Sequence, residues 1–369
     1  MTARKSFAAA VGLLLISSPV FAGDDDSRSS DARVCKSKVK DKVAGTTQTW
    51  HVTVDGQRRS FNVHFPTGFR GKGHKKNPND LVIIYHGYGD SAEQFEVTTG
   101  LSDTADREGF IVVYPDALAT DFVGSPEPIA TWNDLSTSGS PGPAGTACDP
   151  NNPFLSPVAE SCAADPHRDI CNWSECATDD VGFSRAMLDQ LEERLCINSD
   201  RVFIAGLSNG AMLAHRVVCQ MPDRVAASAL VIGRPFIGYN CAALGQKVSL
   251  MQIWGTEDTI VPGTGEESVD GYRYISVDAL EERWAGVASQ SCDSAKLPHD
   301  PGVTNLSILC TQRGNCQTGA EVVQCALDMG HQWPSSDPND PSRAMSPPEA
   351  GDRFMNDVIW SFFDRNPKN

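Results

Sequence analysis

Continuous apolar runs that alternate with helical periodicity are the feature that most restricts how this chain of 369 residues can fold. Residues 81–85 (LVIIY) and 110–114 (FIVVY) are hydrophobic throughout, which is typical of strands buried on both faces of a parallel sheet. Residues 179–196 carry apolar side chains at near-helical spacing, and residues 201–205 and 209–220 repeat the step from strand to helix. This alternation predicts the α/β class, with a mostly parallel sheet and helices on both faces.

Other segments extend the same pattern towards both ends of the chain. Residues 49–54 and 59–65 alternate like two half-exposed strands joined by a turn at Asp55-Gly56. Further strands are predicted over residues 226–232, 249–254 and 321–326, and further helices over residues 277–288 and 352–363.

One long segment, residues 118–177, interrupts the alternation. It is rich in Pro, Gly, Ser and Asp, and it contains four of the twelve cysteines. A loop of this length without secondary structure is usually functional or cross-linked. We therefore predict a disulfide-stapled insertion above the sheet, although a peripheral surface loop fits the sequence equally well.

The first residues have the pattern of an export signal. Arg4 and Lys5 precede a short apolar run, and Val20-Phe21-Ala22 offers a cleavage site of small residues. The run is too short to span a bilayer as a retained helix, and no other segment is long and apolar enough to do so. The predicted organisation is a signal peptide over residues 1–22, a flexible leader over residues 23–34, and one catalytic domain over residues 35–369.

Cysteine content and charge limit the ligands and the compartment. An even number of cysteines in an exported chain favours disulfides, although their spacing does not determine the pairing. Cys171 and Cys176 lie close together, but no second pair and no histidine cluster completes a zinc pattern, so no metal site is predicted. A formal net charge of −16 repels phosphate backbones and disfavours nucleic acid as a partner. We predict a secreted protein, extracellular or periplasmic, without a membrane span.

Ser208 is the centre of Gly206-Leu207-Ser208-Asn209-Gly210, which follows a predicted strand and opens a predicted helix. In this context the G-x-S-x-G pattern is typical of a nucleophile elbow, a tight turn that exposes a serine above the sheet. A serine is a poor nucleophile at neutral pH and needs a base to take its proton. Ser208 is thus the predicted nucleophile.

A carboxylate and a histidine follow Ser208 in the chain order that such an elbow requires. Asp258 comes just past a predicted strand end, where catalytic groups gather, and is the predicted partner that orients the histidine. Glu257 and Asp270 remain alternatives for this carboxylate. His331 lies between the last predicted strand and the last predicted helix. It is the one histidine of eight in that position, so we predict it to be the general base.

Two backbone N–H groups are needed to stabilise an oxyanion. The residue after the nucleophile, Asn209, is one predicted donor. Tyr88 is the other, because it lies in the glycine-containing loop His86-Gly87-Tyr88-Gly89 that follows a predicted strand, where the backbone can approach a substrate. His86 itself is predicted to brace this loop, with a role as the base as the alternative.

These motifs together resemble the feruloyl esterase and polyhydroxybutyrate depolymerase branch of the α/β hydrolases. The ordered set spans most of the chain from residue 81 to residue 363. It consists of His86-Gly87, Tyr114-Pro115-Asp116, Trp132-Asn133, Asp179-Asp180-Val181-Gly182-Phe183, Leu195-Cys196, residues 201–210, Gly255-Thr256-Glu257-Asp258 and Gly330-His331-Gln332-Trp333-Pro334.

The resemblance implies an α/β-hydrolase fold, a carboxyl-ester substrate and no cofactor. It makes Trp132 a candidate wall of the substrate pocket, with a core tryptophan as the equal alternative, and Trp333 a second candidate for substrate binding. The expected substrate is a feruloyl-type ester, free or linked to a plant-wall polymer, and a polyester depolymerase is the alternative. A serine peptidase, or a binding protein without catalysis on the same fold, are alternatives of another class.

Overall fold

The computed structural model describes residues 37–71, 78–241, 246–286, 291–299, 308–334 and 354–368. The chain divides into two units, residues 1–34 and residues 35–369, and every described residue belongs to the second. The predicted signal peptide and leader lie outside the described residues. None of the described helices is both long enough and apolar enough to cross a membrane.

A ten-stranded sheet forms the centre of the described structure, in the order β1-β2-β4-β3-β7-β8-β9-β12-β11-β10. The six strands from β4 to β12 are parallel, and an antiparallel pair extends the sheet at each end. The strands are β1 Thr46–Val54, β2 Gln57–Phe65, β3 Asn79–Tyr85, β4 Ile111–Pro115, β7 Ile197–Leu207, β8 Ala227–Val231, β9 Ser249–Gly255, β10 Lys296–His299, β11 Leu309–Arg313 and β12 Val322–Leu327. The short pair β5 Ala119–Thr120 and β6 Ile129–Ala130 forms a separate ribbon.

Helices cover both faces of this sheet, as the apolar strands require. Leu81, Ile83 and Tyr85 of β3 pack into one apolar core, whereas Val82 and Ile84 pack into a second core on the opposite face. The first core contains α4 Asp180–Arg194, α5 Asn209–Gln220 and α6 Val277–Gly286; the second contains α1 Ala92–Thr99, α2 Leu101–Glu108 and α7 Phe354–Asp364. The predicted mostly parallel sheet between two helical layers is confirmed.

Helices α1 and α2 and strands β10 and β11 were not predicted, because their sequences contain few apolar residues in a regular period. A capping signal does mark the start of α1. The Ser91 side chain accepts a hydrogen bond from the backbone N–H of Gln94, which is the usual N-cap interaction of a serine. Gly100, in the left-handed conformation at φ 57°, separates α1 from α2.

The segment over residues 118–177 is an ordered insertion cross-linked by two disulfides, Cys148–Cys171 and Cys162–Cys176. It contains β5, β6 and the one-turn helix α3 Glu160–Ala163. The insertion also pairs with the loop between β9 and α6, because the Asp149 N–H donates to the Gly271 carbonyl at 2.8 Å. The predicted disulfide-stapled insertion is confirmed. The other disulfides between described cysteines are Cys219–Cys241, Cys292–Cys316 and Cys310–Cys325.

Candidate active site

Ser208 lies in the tight turn between β7 and α5, at the carboxyl edge of the parallel strands. Its backbone has φ 53° and ψ −119°, a strained conformation for a residue with a side chain. The turn closes only because its flanking residues are glycines. A Cβ atom at Gly206 would lie 2.2 Å from the Gly210 carbonyl oxygen, and one at Gly210 would lie 2.3 Å from the carbonyl oxygens of Tyr85 and His86. The sequence pattern therefore corresponds to a real elbow at this edge.

A continuous hydrogen-bonded row joins Ser208, His331 and Asp258. His331 Nε2 lies 2.8 Å from Ser208 Oγ, and His331 Nδ1 lies 2.9 Å from Asp258 Oδ2. When Nδ1 carries the proton and its N–H donates a hydrogen bond to the carboxylate, Nε2 is unprotonated and its lone pair faces the serine hydroxyl. The row can therefore pass a proton from the hydroxyl to the imidazole and hold the charged ring that results.

Asp258 is held as an anion by its own loop. The Asp258 side chain is 1% exposed, and its Oδ1 accepts the backbone N–H groups of Ile260 and Val261, each at 2.9 Å. Burial acts to raise the pKa of Asp258, but the hydrogen bond and charge of His331, together with the two N–H groups, hold it below its usual value. The alternative carboxylate Glu257 is exposed. The structure thus brings together the first-choice carboxylate and the predicted serine and histidine.

The two predicted oxyanion donors belong to different segments near Ser208. Asn209 is the first residue of α5, where the helix dipole favours negative charge, and Tyr88 lies in the loop after β3 beside Gly87. Within the described structure neither the Asn209 N–H nor the Tyr88 N–H donates to another protein group. Both donors are therefore available to an oxygen bound above Ser208.

His86 braces the loop that carries Tyr88. Its Nε2 accepts the Ala117 N–H at 3.1 Å, so its Nδ1 carries the proton and donates to the Gly87 carbonyl at 2.7 Å. Burial lowers the pKa of His86, which keeps the ring neutral. With both ring nitrogens engaged, His86 has no free atom with which to act as a base.

Trp132 does not form a wall of the pocket, and that prediction is corrected here. Its side chain is 0% exposed and packs on the His86 ring, with 4.8 Å between the ring centroids. Its indole N–H donates to the His86 carbonyl at 2.9 Å. Trp132 is therefore a core tryptophan, which was the alternative prediction, and it supports the loop after β3 through its contacts with His86.

The Asn209 side chain connects the elbow to the start of the insertion. Its Oδ1 accepts the Trp132 N–H at 2.7 Å, and its Nδ2 donates to Asp134 Oδ2 at 3.0 Å. Asp134 is buried, and Oδ1 of its carboxylate also accepts the backbone N–H groups of Ser136 and Thr137. Sequence reasoning did not identify Asp134, although it directly follows the Trp132-Asn133 motif.

Asn209→Ala is expected to lower the free energy of unfolding by about 2–4 kcal/mol, because buried partners in Trp132 and Asp134 lose their hydrogen bonds. Urea denaturation of the purified variant measures this change. Asn151→Ala, which removes an exposed amide of the insertion, serves as the control and should change the value by less than about 0.5 kcal/mol. Equal effects of the two substitutions would contradict this role of Asn209.

Ser208 and His331 open into a cavity of about 870 Å³. Aromatic side chains form much of its lining, and Ser156 and Trp173 of the insertion contribute to it. Trp173 packs edge-on against Tyr88 and Tyr272, at centroid distances of 5.7 and 6.2 Å. The aromatic lining residues are Tyr88, Trp173, Tyr272, Tyr274 and Trp333, so Trp333 lies where substrate binding was predicted.

One group of side chains in the described structure has the geometry for a metal, namely His215, Cys219 and Cys241. The two cysteines are joined as a disulfide, so neither sulfur is a thiolate ligand. Burial lowers the pKa of His215 to about 4, and its ring is neutral at physiological pH. This group lies outside the residues that line the cavity.

No family model matches the chain. Feruloyl esterase D of Neurospora crassa is 23% identical, over 86% of this chain and 86% of the relative. Feruloyl esterase B of Piromyces equi is 24% identical, over 74% of this chain but only 42% of the relative, so the chain spans less than half of that protein. Among solved structures, an acetyl xylan esterase from Aspergillus awamori matches with a TM-score of 0.50 and 14% identity, over 86% of this chain and 99% of that one.

This chain has the α/β-hydrolase fold. The structural match carries that conclusion, because it extends over nearly the whole length of the solved esterase. The curated relatives confirm the predicted resemblance to an esterase family and support the predicted enzyme class, a carboxylic ester hydrolase.

Proposed function

We propose that this α/β-hydrolase is a secreted serine esterase of the feruloyl esterase kind. The observation that carries the proposal is the hydrogen-bonded row of Ser208, His331 and Asp258 at the edge of an aromatic-lined cavity. The names of the curated relatives point to the same chemistry. Disulfides in the described structure favour an oxidising compartment, in keeping with the predicted signal peptide.

In the proposed mechanism, Ser208 Oγ attacks the ester carbonyl carbon while His331 Nε2 accepts the hydroxyl proton. Asp258 keeps the imidazole in the productive tautomer and stabilises the imidazolium. The oxyanion accepts hydrogen bonds from the backbone N–H groups of Asn209 and Tyr88. His331 then donates its proton to the leaving alcohol, and the acyl-enzyme is hydrolysed by a water molecule that the same imidazole activates.

The cavity supports a planar aromatic acyl group. Tyr88, Trp173 and Tyr272 line the cavity beside Ser208 and pack edge-on in the pairs Tyr88–Trp173 and Trp173–Tyr272, and a planar aromatic group can extend such a cluster with the same geometry. A volume of about 870 Å³ exceeds the size of a cinnamic acid and leaves room for part of the alcohol. A hydroxycinnamate ester is therefore the proposed substrate.

Hydrolysis of methyl ferulate, measured beside clearing of polyhydroxybutyrate particles, tests this function. We expect cleavage of the ferulate without loss of the polymer, and no cleavage by Ser208→Ala. Clearing of the polymer with little ferulate turnover would instead indicate a depolymerase. Faster cleavage of peptide amides than of esters would indicate a peptidase.

Trp173→Ala is expected to raise KM for methyl ferulate about tenfold, because a buried aromatic contact with the acyl group is lost. KM for ethyl acetate, whose acyl group is too small to reach the aromatic wall, should change less than about twofold. Steady-state kinetics with both esters checks this difference. An equal change for the two substrates would show that Trp173 acts on the fold and not on the acyl group.

A further inference from the structure

Apart from His331, the ionisable side chains of acidic or basic residues that line the cavity are all carboxylates. Among the described lining residues none is a lysine or an arginine, whereas Asp90, Glu93 and Asp270 are carboxylates. A substrate carboxylate or phosphate would therefore find no side-chain cation inside the cavity. The nearby Arg234 does not supply one, because it is buried and donates to the carbonyl groups of Val261 and Ile275.

Asp270 is a lining carboxylate on a segment that the insertion contacts. It lies on the loop between β9 and α6, the same loop that carries Asp258, and the Ser268 hydroxyl donates to its Oδ1. The insertion holds this loop on both sides of Asp270. The Asp149 N–H donates to the Gly271 carbonyl at 2.8 Å, and Asn152 Nδ2 donates to the Val269 carbonyl at 3.2 Å.

The surroundings of these carboxylates solvate negative charge poorly. Burial raises the pKa of Asp270 above its usual value, and burial likewise raises the pKa of Asp90. A charged substrate group would lose part of its hydration shell when it enters this aromatic-lined cavity. Its desolvation cost would therefore add to its repulsion by the lining carboxylates.

We propose that Asp270 is a specificity-determining residue that makes the cavity select against esters carrying a negative charge. The substrates are then esters whose acyl and alcohol groups inside the cavity are neutral or cationic. This inference rests on the proposed esterase function, since it concerns the substrate of the same cavity. It extends that function, because aromatic lining alone accepts neutral and anionic cinnamates alike.

Binding of three isosteric ligands to the Ser208→Ala protein tests the inference without any chemistry. The ligands are methyl cinnamates with a para carboxamide, a para carboxylate or a para ammoniomethyl group, and titration calorimetry measures each Kd. We expect the carboxylate to bind about 30-fold more weakly than the carboxamide, as for like charges at cavity distances. The ammoniomethyl ligand should bind at least as tightly as the carboxamide.

Asp270→Asn, added to the Ser208→Ala protein, is the decisive variant because it removes the charge and keeps an acceptor for Ser268. We expect it to reduce the ratio of the carboxylate Kd to the carboxamide Kd about tenfold. The control is Asp223→Asn, an exposed carboxylate that precedes β8 at the opposite edge of the sheet. That change should leave the ratio within about twofold of its original value.

Several outcomes would overturn the inference. These are equal binding of the three ligands, failure of the carboxamide ester to bind, and an unchanged ratio in the Asp270→Asn protein. Failure of the proposed function is seen separately, as an absence of Ser208-dependent turnover of methyl ferulate by the wild-type protein. The two failures are therefore distinguishable.

Discussion

Ser208→Ala is expected to lower kcat for ester hydrolysis by about 10⁵-fold while the protein remains folded, because the proposed acyl-enzyme forms on Ser208 Oγ. His331→Ala should cause a loss of similar size, since the hydroxyl then has no base 2.8 Å away. Because the two residues act as a unit, the double variant should be no slower than either single variant. Initial rates with methyl ferulate and thermal melting curves measure activity and folding.

Three results would contradict this assignment. One is a folded Ser208→Ala protein that keeps more than about 1% of wild-type turnover. Another is additive losses in the double variant, which would mean that the serine and the histidine act in different steps. The third is a failure of wild-type protein to react with a fluorophosphonate probe, which would favour a binding protein without catalysis.

Asp258→Asn is expected to lower kcat by about 10³- to 10⁴-fold, because an amide at this position no longer holds His331 in the productive tautomer. The fold should survive, since the amide oxygen can still accept the N–H groups of Ile260 and Val261. The control is Glu257→Gln, which neutralises the adjacent exposed carboxylate and should leave kcat within about twofold.

The comparison of carboxylates also separates Asp258 from its second alternative. If Asp270 oriented the histidine, Asp270→Asn would lose as much kcat as Asp258→Asn does. The structure instead places both oxygens of Asp258 within 3.1 Å of His331 Nδ1. A pH profile of kcat for each variant distinguishes a residue bonded to the imidazole from one that acts on the substrate.

The central strands could be predicted from the sequence because a strand buried on both faces is a continuous run of apolar residues, which is easy to recognise. Helix α5 was also predicted with its observed ends. Its start is marked by the glycines of the nucleophile elbow. Helices α1 and α2 were not predicted because each buries only three residues, and residues 92–108 are mostly polar. Their signal lies in capping residues and not in hydrophobic period.

The arrangement of the candidate site could be predicted where chain order restricts which residues can meet, and less well where packing decides their positions. Ser208, Asp258 and His331 follow an order that the elbow imposes, and the structure brings them into contact. Trp132 could not be assigned from sequence, because a tryptophan suits a core and a pocket equally well. Asp134 and the selectivity proposed for Asp270 depend on contacts between distant segments, which only the three-dimensional structure reveals.

The pairing of the insertion with the loop between β9 and α6 restricts how this scaffold can be engineered. The backbone N–H groups of Asp149 and Arg273 donate across the two segments, to the carbonyls of Gly271 and Ala147 respectively. A transplanted or shortened insertion would therefore disturb Asp258 as well as the pocket wall. Libraries aimed at new esters should vary the segment between Cys148 and Cys171 at exposed positions and keep residues 147–149 and 271–273 as a matched pair.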